Sequence, residues 1–219
     1  MTYTKENIKK ICNVSRETLQ DLQTFHDILL KWQKAINLIS SNTIQEVWHR
    51  HIADSIQLIP HIPKGTKSIV DLGSGGGLPA IVLAVALKNT DVKITMIESD
   101  NKKCVFLQEC IRKLGLNAVA INDRIEKIKE KHSLDFDLAT ARALASTDNL
   151  LEFCNELGVK KCLFLKGKQY AKEVSDAKEN WDITEQIIPS ITATDSRIIN
   201  ILNFTKKIIL LYCFYKNKK

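Results

Sequence analysis

The amino-acid sequence predicts an α/β fold: a mostly parallel sheet with helices on both faces. Three observations carry that expectation. From residue 67 onward, short β-branched runs alternate with segments of helical periodicity, the signature of βαβ units. The runs at 68–72, 93–98, 118–122, 136–140 and 162–166 are nearly unbroken in apolar character, as strands buried on both faces are. A glycine-rich segment joins the first run to the first helix behind it.

Before residue 64 the texture is helical. Leu19, Leu22, Phe25, Leu29, Trp32 and Ile36 recur at helical spacing, followed by Ile44, Val47, His51, Ser55 and Leu58. Thr43 with Glu46 three positions on reads as a capping box opening the second of these helices. His61, Pro63 and Gly65 close the stretch with a turn. Helices are then expected at 78–88, 102–114, 124–131, 147–157 and 168–180. Pro79 sits in the first turn of one, and Gly115 and Gly158 cap two others. The runs 182–188 and 197–204 flank a turn-rich segment and read as a terminal antiparallel hairpin. The expected organisation is an N-terminal helical extension (1–63), a sheet domain (64–207) and an apolar-basic tail (208–219). The tail is too short to span a bilayer and would suit an added edge strand.

Composition removes other classes. The chain has 219 residues, 44% hydrophobic and 26% charged, with only 8 Gly and 4 Pro, which excludes disordered and low-complexity classes. No apolar run reaches membrane length and the N-terminus lacks a signal-type apolar core, so a cytoplasmic address without a membrane is expected. The six cysteines show no zinc-like spacing. They read as thiols, with Cys104, Cys154 and Cys162 in the core, and no metal is expected. The net charge of +7, concentrated in the last third, suits a polyanionic partner.

The chemistry concentrates at residues 68–79, Ser-Ile-Val-Asp-Leu-Gly-Ser-Gly-Gly-Gly-Leu-Pro. Gly73, Gly75 and Gly77 follow strand 1, with an acid, Asp71, two residues before them. A dinucleotide fingerprint needs glycine where Leu78 stands, and no Gly-Lys-Ser/Thr follows, so neither NAD nor a P-loop nucleotide is expected. Glu98 closes the second strand, where a carboxylate can accept both hydroxyls of a ribose. Together these features resemble the Rossmann-like S-adenosylmethionine-dependent methyltransferases.

Further motifs narrow the resemblance. Trp32-Gln33-Lys34-Ala35-Ile36-Asn37-Leu38, Arg50-His51-Ile52-Ala53-Asp54-Ser55, the glycine segment, Asp123-Arg124-Ile125-Glu126, Ala141-Arg142-Ala143-Leu144-Ala145-Ser146 and Leu165-Lys166-Gly167 occur in one order. In this the chain is similar to the RsmG (GidB) family, methyltransferases acting on guanine N7 in small-subunit (16S) ribosomal RNA. The resemblance covers about residues 15–207. Two departures stand out: Gly76 replaces a common proline, and the tail extends past the family's usual end. The resemblance implies S-adenosylmethionine at Gly73, Leu78, Ile125, Glu126 and Arg142, joined by Gly75, Gly77 and Glu98 from the motif itself. Asn37 and His51 lie in matched motifs on the expected substrate side. Lys166 and Arg197 are candidate RNA contacts on charge and position. His51 also fits a buried core histidine, and Trp32 a core anchor.

The end of the fourth strand carries a second argument. It lacks the Asn/Asp-Pro-Pro-aromatic motif of amino-methylating enzymes, and no proline is followed by the cysteine that cytosine C5 methylation uses. Guanine N7 has a free lone pair and needs neither. No general base is therefore expected, and Arg142 is positional. A small-molecule methyltransferase and a non-catalytic S-adenosylmethionine- or RNA-binding protein are the alternatives.

Overall fold

The computed structural model describes residues 2–131 and 135–208. Seven strands form one sheet: β1 (Ser68–Leu72), β2 (Lys93–Glu98), β3 (Ala118–Asn122), β4 (Leu138–Arg142), β5 (Cys162–Lys166), β6 (Trp181–Pro189) and β7 (Arg197–Lys206). Their spatial order is β3-β2-β1-β4-β5-β7-β6. The first five are mutually parallel, and β7 runs antiparallel between β5 and β6. The order reverses between β1 and β4, so a crevice opens above their carboxyl ends.

Helices cover both faces. On one face α1 (Arg16–Gln33), α3 (Ala80–Ala86) and α4 (Asn101–Leu114) share a core with Ile69, Ile94 and Leu163; α2 (Asp54–Ile56) adds Ile56. On the other, α6 (Thr147–Glu156) and α7 (Tyr170–Asn180) pack with the hairpin on Val70, Ala139 and Phe164. A short α5 (Ile128–Lys131) follows β3. Alternate residues of one strand thus serve opposite cores, as the period of two requires. Local caps agree: Ser15 accepts from the Thr18 N–H, Asp100 from Lys102 and Lys103, and Ser146 from Asn149, each contributing about 1 kcal/mol. Trp32 is a core anchor, edge-on to Phe106 with its indole N–H on Glu109. Cys104, Cys154 and Cys162 are buried thiols.

Three expectations need correction. The Thr43–Glu46 capping box does not form. That segment is a 3₁₀ stretch (Ser41–Glu46), then a π-helical turn (Trp48–Ala53), then α2. The Thr43 hydroxyl is engaged by Ser40 O and His51, so it caps nothing. The fourth strand lies at Leu138–Arg142 rather than 136–140, because Asp137 turns its carboxylate to the Lys67 and Ser68 N–H groups below β1. Arg142 is therefore the strand's last residue, not the one after it. The helix expected from 78 starts at Ala80, after Pro79. Ile208 is the last described residue, so the tail's expected edge strand and Cys213 fall outside the described residues.

Candidate active site

The chain leaves β1 through Gly73 at φ +65°, a conformation that strains any L side chain, and a Cβ there would meet Leu144 Cδ1 at 2.5 Å. The glycine loop is then tied down. The Ser74 N–H donates to Ile97 O (3.0 Å) and Gly77 N–H to Ser74 O (2.7 Å). Gly75 N–H donates to Glu98 Oε2, while Glu98 Oε1 accepts from Asp100 N–H, both at 2.8 Å. One carboxylate thus fixes both the glycine loop and the start of α4. Gly76 admits a close approach from outside the sheet: a Cβ would stand 2.8 Å from Leu38 O.

A cavity of about 510 Å³ opens here, within the usual range for small-molecule sites. Gly73, Gly75, Leu78, Glu98, Ile125, Glu126 and Arg142 line it. Gly77 does not; it serves packing, since a Cβ there would meet Ile81 Cγ1 at 2.5 Å. Leu38, Lys103, Leu144 and Phe153 also line the cavity and went unseen in the sequence. Phe153 and Leu144 read there as ordinary apolar residues, and nothing local marks them as walls. Asp71, buried between β1 and β4, accepts from the Thr140 hydroxyl (2.6 Å), while its Oδ2 has no partner. Burial pushes this carboxyl up to about 6.

A second cavity of about 680 Å³ adjoins the first. Leu38, Arg142, Ala143, Leu144 and Ala145 belong to both walls. Gln33 sets Leu38 in place: its amide oxygen accepts from the Leu38 and Ile39 N–H groups and its NH₂ donates to Ile39 O. Ala143, at φ +53°, holds a conformation costing about 1 kcal/mol for an L residue. It turns the chain sharply after Arg142.

His51, Lys166 and Arg197 line this second cavity, whereas Asn37 is exposed and lines neither. Lys166 and Arg197 are already partnered. Lys166 is buried, its ammonium on Ala145 O (2.6 Å) and Glu173 (2.7 Å); burial lowers its pKa, opposed by Glu173. Arg197 donates to Thr194 O and Ser196 O and lies over the Tyr170 ring at 5.0 Å. Among the described residues, the guanidinium on this wall without a hydrogen-bond or ion-pair partner is that of Arg50, which lies inside a quoted motif but was not singled out from the sequence.

Arg142 is the junction. One Nη lies 2.9 Å from His51 Nδ1 and 3.4 Å from Arg50 O, and Asp54 stands at 3.7 Å. Burial lowers its pKa, opposed by Asp54 and Asp71, and a guanidinium remains charged. Burial, then Arg142 and Arg50, lower His51 to about 3. Asp54 accepts in turn from the Thr192 hydroxyl (2.6 Å) and Gln57 (2.9 Å), which fastens the hairpin turn to the N-terminal extension.

The sheet order and the glycine loop over a crevice define the fold class of the S-adenosylmethionine-dependent methyltransferases. Solved structures with this fold include an O-methyltransferase from Bacillus cereus in complex with SAH (TM-score 0.55, 13% identity, 90% of this chain and 95% of that one). A SAM-dependent methyltransferase from Aquifex aeolicus matches at TM-score 0.54 and 14% identity, over 79% and 97%. More specifically, the chain belongs to the family of rRNA small subunit methyltransferase G (GidB), whose model matches residues 18–201. Among relatives of that name, the Gluconobacter oxydans protein is 43% identical over 88% of this chain and 97% of its own. The Dinoroseobacter shibae protein is 42% identical over 84% and 95%, and the Rickettsia massiliae protein 39% over 90% and 100%. No helix among the described residues is long and apolar enough to cross a membrane. No cluster of His, Cys, Asp and Glu there could hold a metal.

Proposed function

We propose that this chain transfers a methyl group from S-adenosylmethionine to N7 of a guanine in small-subunit (16S) ribosomal RNA, in the cytoplasm. The observation that carries this reading is the pair of cavities meeting at Arg142. A methyl transfer needs two ligands aligned in one line of attack, and alignment supplies much of the rate. The first cavity fits the cofactor. It has glycine walls without side chains, apolar residues Ile125 and Phe153 for a flat ring, and Glu98 within the wall. Asp71 lies buried at the end of β1, outside the cavity wall, with Oδ2 unpartnered. When bound, the cofactor supplies an activated methyl on a sulfonium.

The second cavity takes the target nucleotide. Arg50 is free there to meet a phosphate, and Arg142 can donate to guanine O6 while leaving N7 open. The titratable groups on this wall are committed elsewhere: His51 to Arg142 and Thr43, Glu173 to Lys166 and Thr147, Asp54 to Thr192 and Gln57. No cysteine lines either cavity among the described residues. An acceptor that carries no proton suits such a site, because direct displacement needs no base.

The test incubates the purified protein with radiolabelled S-adenosylmethionine and small ribosomal subunits from cells lacking the gene. The expected product is N7-methylguanine at one position of the 16S RNA. Label on another atom, on small molecules alone, or on nothing would overturn the reading.

A further inference from the structure

His51 was open to two readings, a core histidine or an RNA contact. The direction of its hydrogen bonds gives a third. Arginine has only donors, so the 2.9 Å contact from Arg142 makes His51 Nδ1 an acceptor. The ring's proton then sits on Nε2 and donates to Thr43 Oγ1 at 2.7 Å. The Thr43 hydroxyl donates in turn to Ser40 O at 2.8 Å. Every donor in this line points the same way, out from Arg142 to the backbone of Ser40. The backbone is tied as well, with Ser55 Oγ donating to His51 O at 2.7 Å, and the residue is 6% exposed. The groups facing the imidazole are Arg142 from β4, Arg50 on its own turn and Thr43 from the preceding stretch, with Asp54 one turn on beside Arg142. None bonded to the ring is a carboxylate that would favour the imidazolium. A π-helical turn, rare and often found at functional sites, places the Arg50 carbonyl and the His51 ring side by side against one guanidinium.

We infer that His51 is a positioning residue, a neutral acceptor that fixes the Arg142 guanidinium at the junction of the two cavities. The inference rests on the methyltransferase reading above and extends it to a residue whose two ring nitrogens are both engaged by protein groups.

The experiment compares His51→Asn, His51→Gln and His51→Leu in the full chain. Asparagine can place an amide oxygen near the Nδ1 position; glutamine reaches toward Nε2. Each variant is checked by thermal melting, then assayed for S-adenosylmethionine affinity and for kcat at saturating cofactor and small subunits. His51→Leu and His51→Gln are expected to lose roughly tenfold or more in kcat, with cofactor affinity within about threefold, while His51→Asn stays within about threefold of wild type. Wild-type kcat in His51→Leu overturns the inference. So does a loss confined to KM for the subunit, or a folded His51→Asn no better than His51→Leu. A readout on the wild-type protein needs no activity and no variant: the ¹⁵N spectrum of the His51 ring should report Nε2–H with Nδ1 unprotonated at neutral pH. An imidazolium or the Nδ1–H tautomer overturns the inference. A wild-type protein that methylates no subunit defeats the proposed function instead, and the spectrum still decides the role of His51.

Discussion

The two cavities are built from different materials. The first centres on backbone: a glycine loop between β1 and α3, one carboxylate bridging that loop to α4, and the short turn after β3, with Leu38, Leu144 and Phe153 as further walls. The second is mostly side chains drawn from the N-terminal extension, β4, β5 and the hairpin. Its walls exist because Asp54, Thr192 and Gln57 join segments more than 130 residues apart. A backbone cradle is fixed by local sequence and tolerates little intrusion. A side-chain cavity is fixed by tertiary contacts and should respond to the loss of single partners.

The sharpest way to break this comparison is Gly73→Asp. Positive φ, the Leu144 contact and a new charge should together lower S-adenosylmethionine affinity more than roughly 100-fold, about 2.7 kcal/mol. Calorimetric titration checks this, and unchanged affinity would remove the cofactor from the loop. Asp71 tests the cradle by pH. Its folded pKa, about 6, lies above an unfolded value near 3.9. The folded state keeps the proton longer, so stability is full below about pH 4 and falls as pH rises to about 6. The loss is at most about 3 kcal/mol. Asp71→Asn should lack that slope in urea melts at pH 4, 5, 6 and 7; parallel curves for the two proteins would contradict it.

Asp54→Ala addresses the second cavity. It leaves Arg142 without its nearby carboxylate and frees the hairpin turn, and should cost about 2 kcal/mol of stability with cofactor affinity held. Equal damage to cofactor binding would mean that the cavities are not separable. Arg142→Lys keeps the charge but loses the planar fork. It should slow methyl transfer at saturating cofactor by roughly tenfold, about 1.4 kcal/mol. Wild-type turnover would leave Arg142 a structural cation of the junction with no part in methyl transfer. The smallest effect is expected from Arg50→Ala: weaker subunit binding, with a salt dependence reduced by about one phosphate contact. An unchanged salt slope would take the phosphate away from Arg50.

The same contrast explains what was legible in the sequence. The glycine spacing, Asp71 and Glu98 lie on one βαβ unit whose geometry follows from local rules, and the parallel strands followed from alternating periods. Glu98 was read as a ribose acceptor, yet no spacing rule shows that both its oxygens also hold backbone N–H groups. Thr43 had the right neighbour for a cap, but His51 competes for its hydroxyl across eight residues. Lys166 looked like a free cation because its partners, Ala145 O and Glu173, meet it only in the folded chain. Leu38 was passed over for Asn37 since polarity, not position, draws attention in a sequence. The Gln33 clamp turns Leu38 into a wall.

The long span between Asp54 and Thr192 also sets an order in time. Residues of the first cavity are all synthesised by Phe153, whereas the second needs Arg197, some 44 positions later. At about 5–20 residues per second the interval is roughly 2–9 s. A growing chain therefore holds every residue of the first cavity before it holds those of the second. A protein cut short between these points would lack the walls for a nucleotide while retaining the glycine loop.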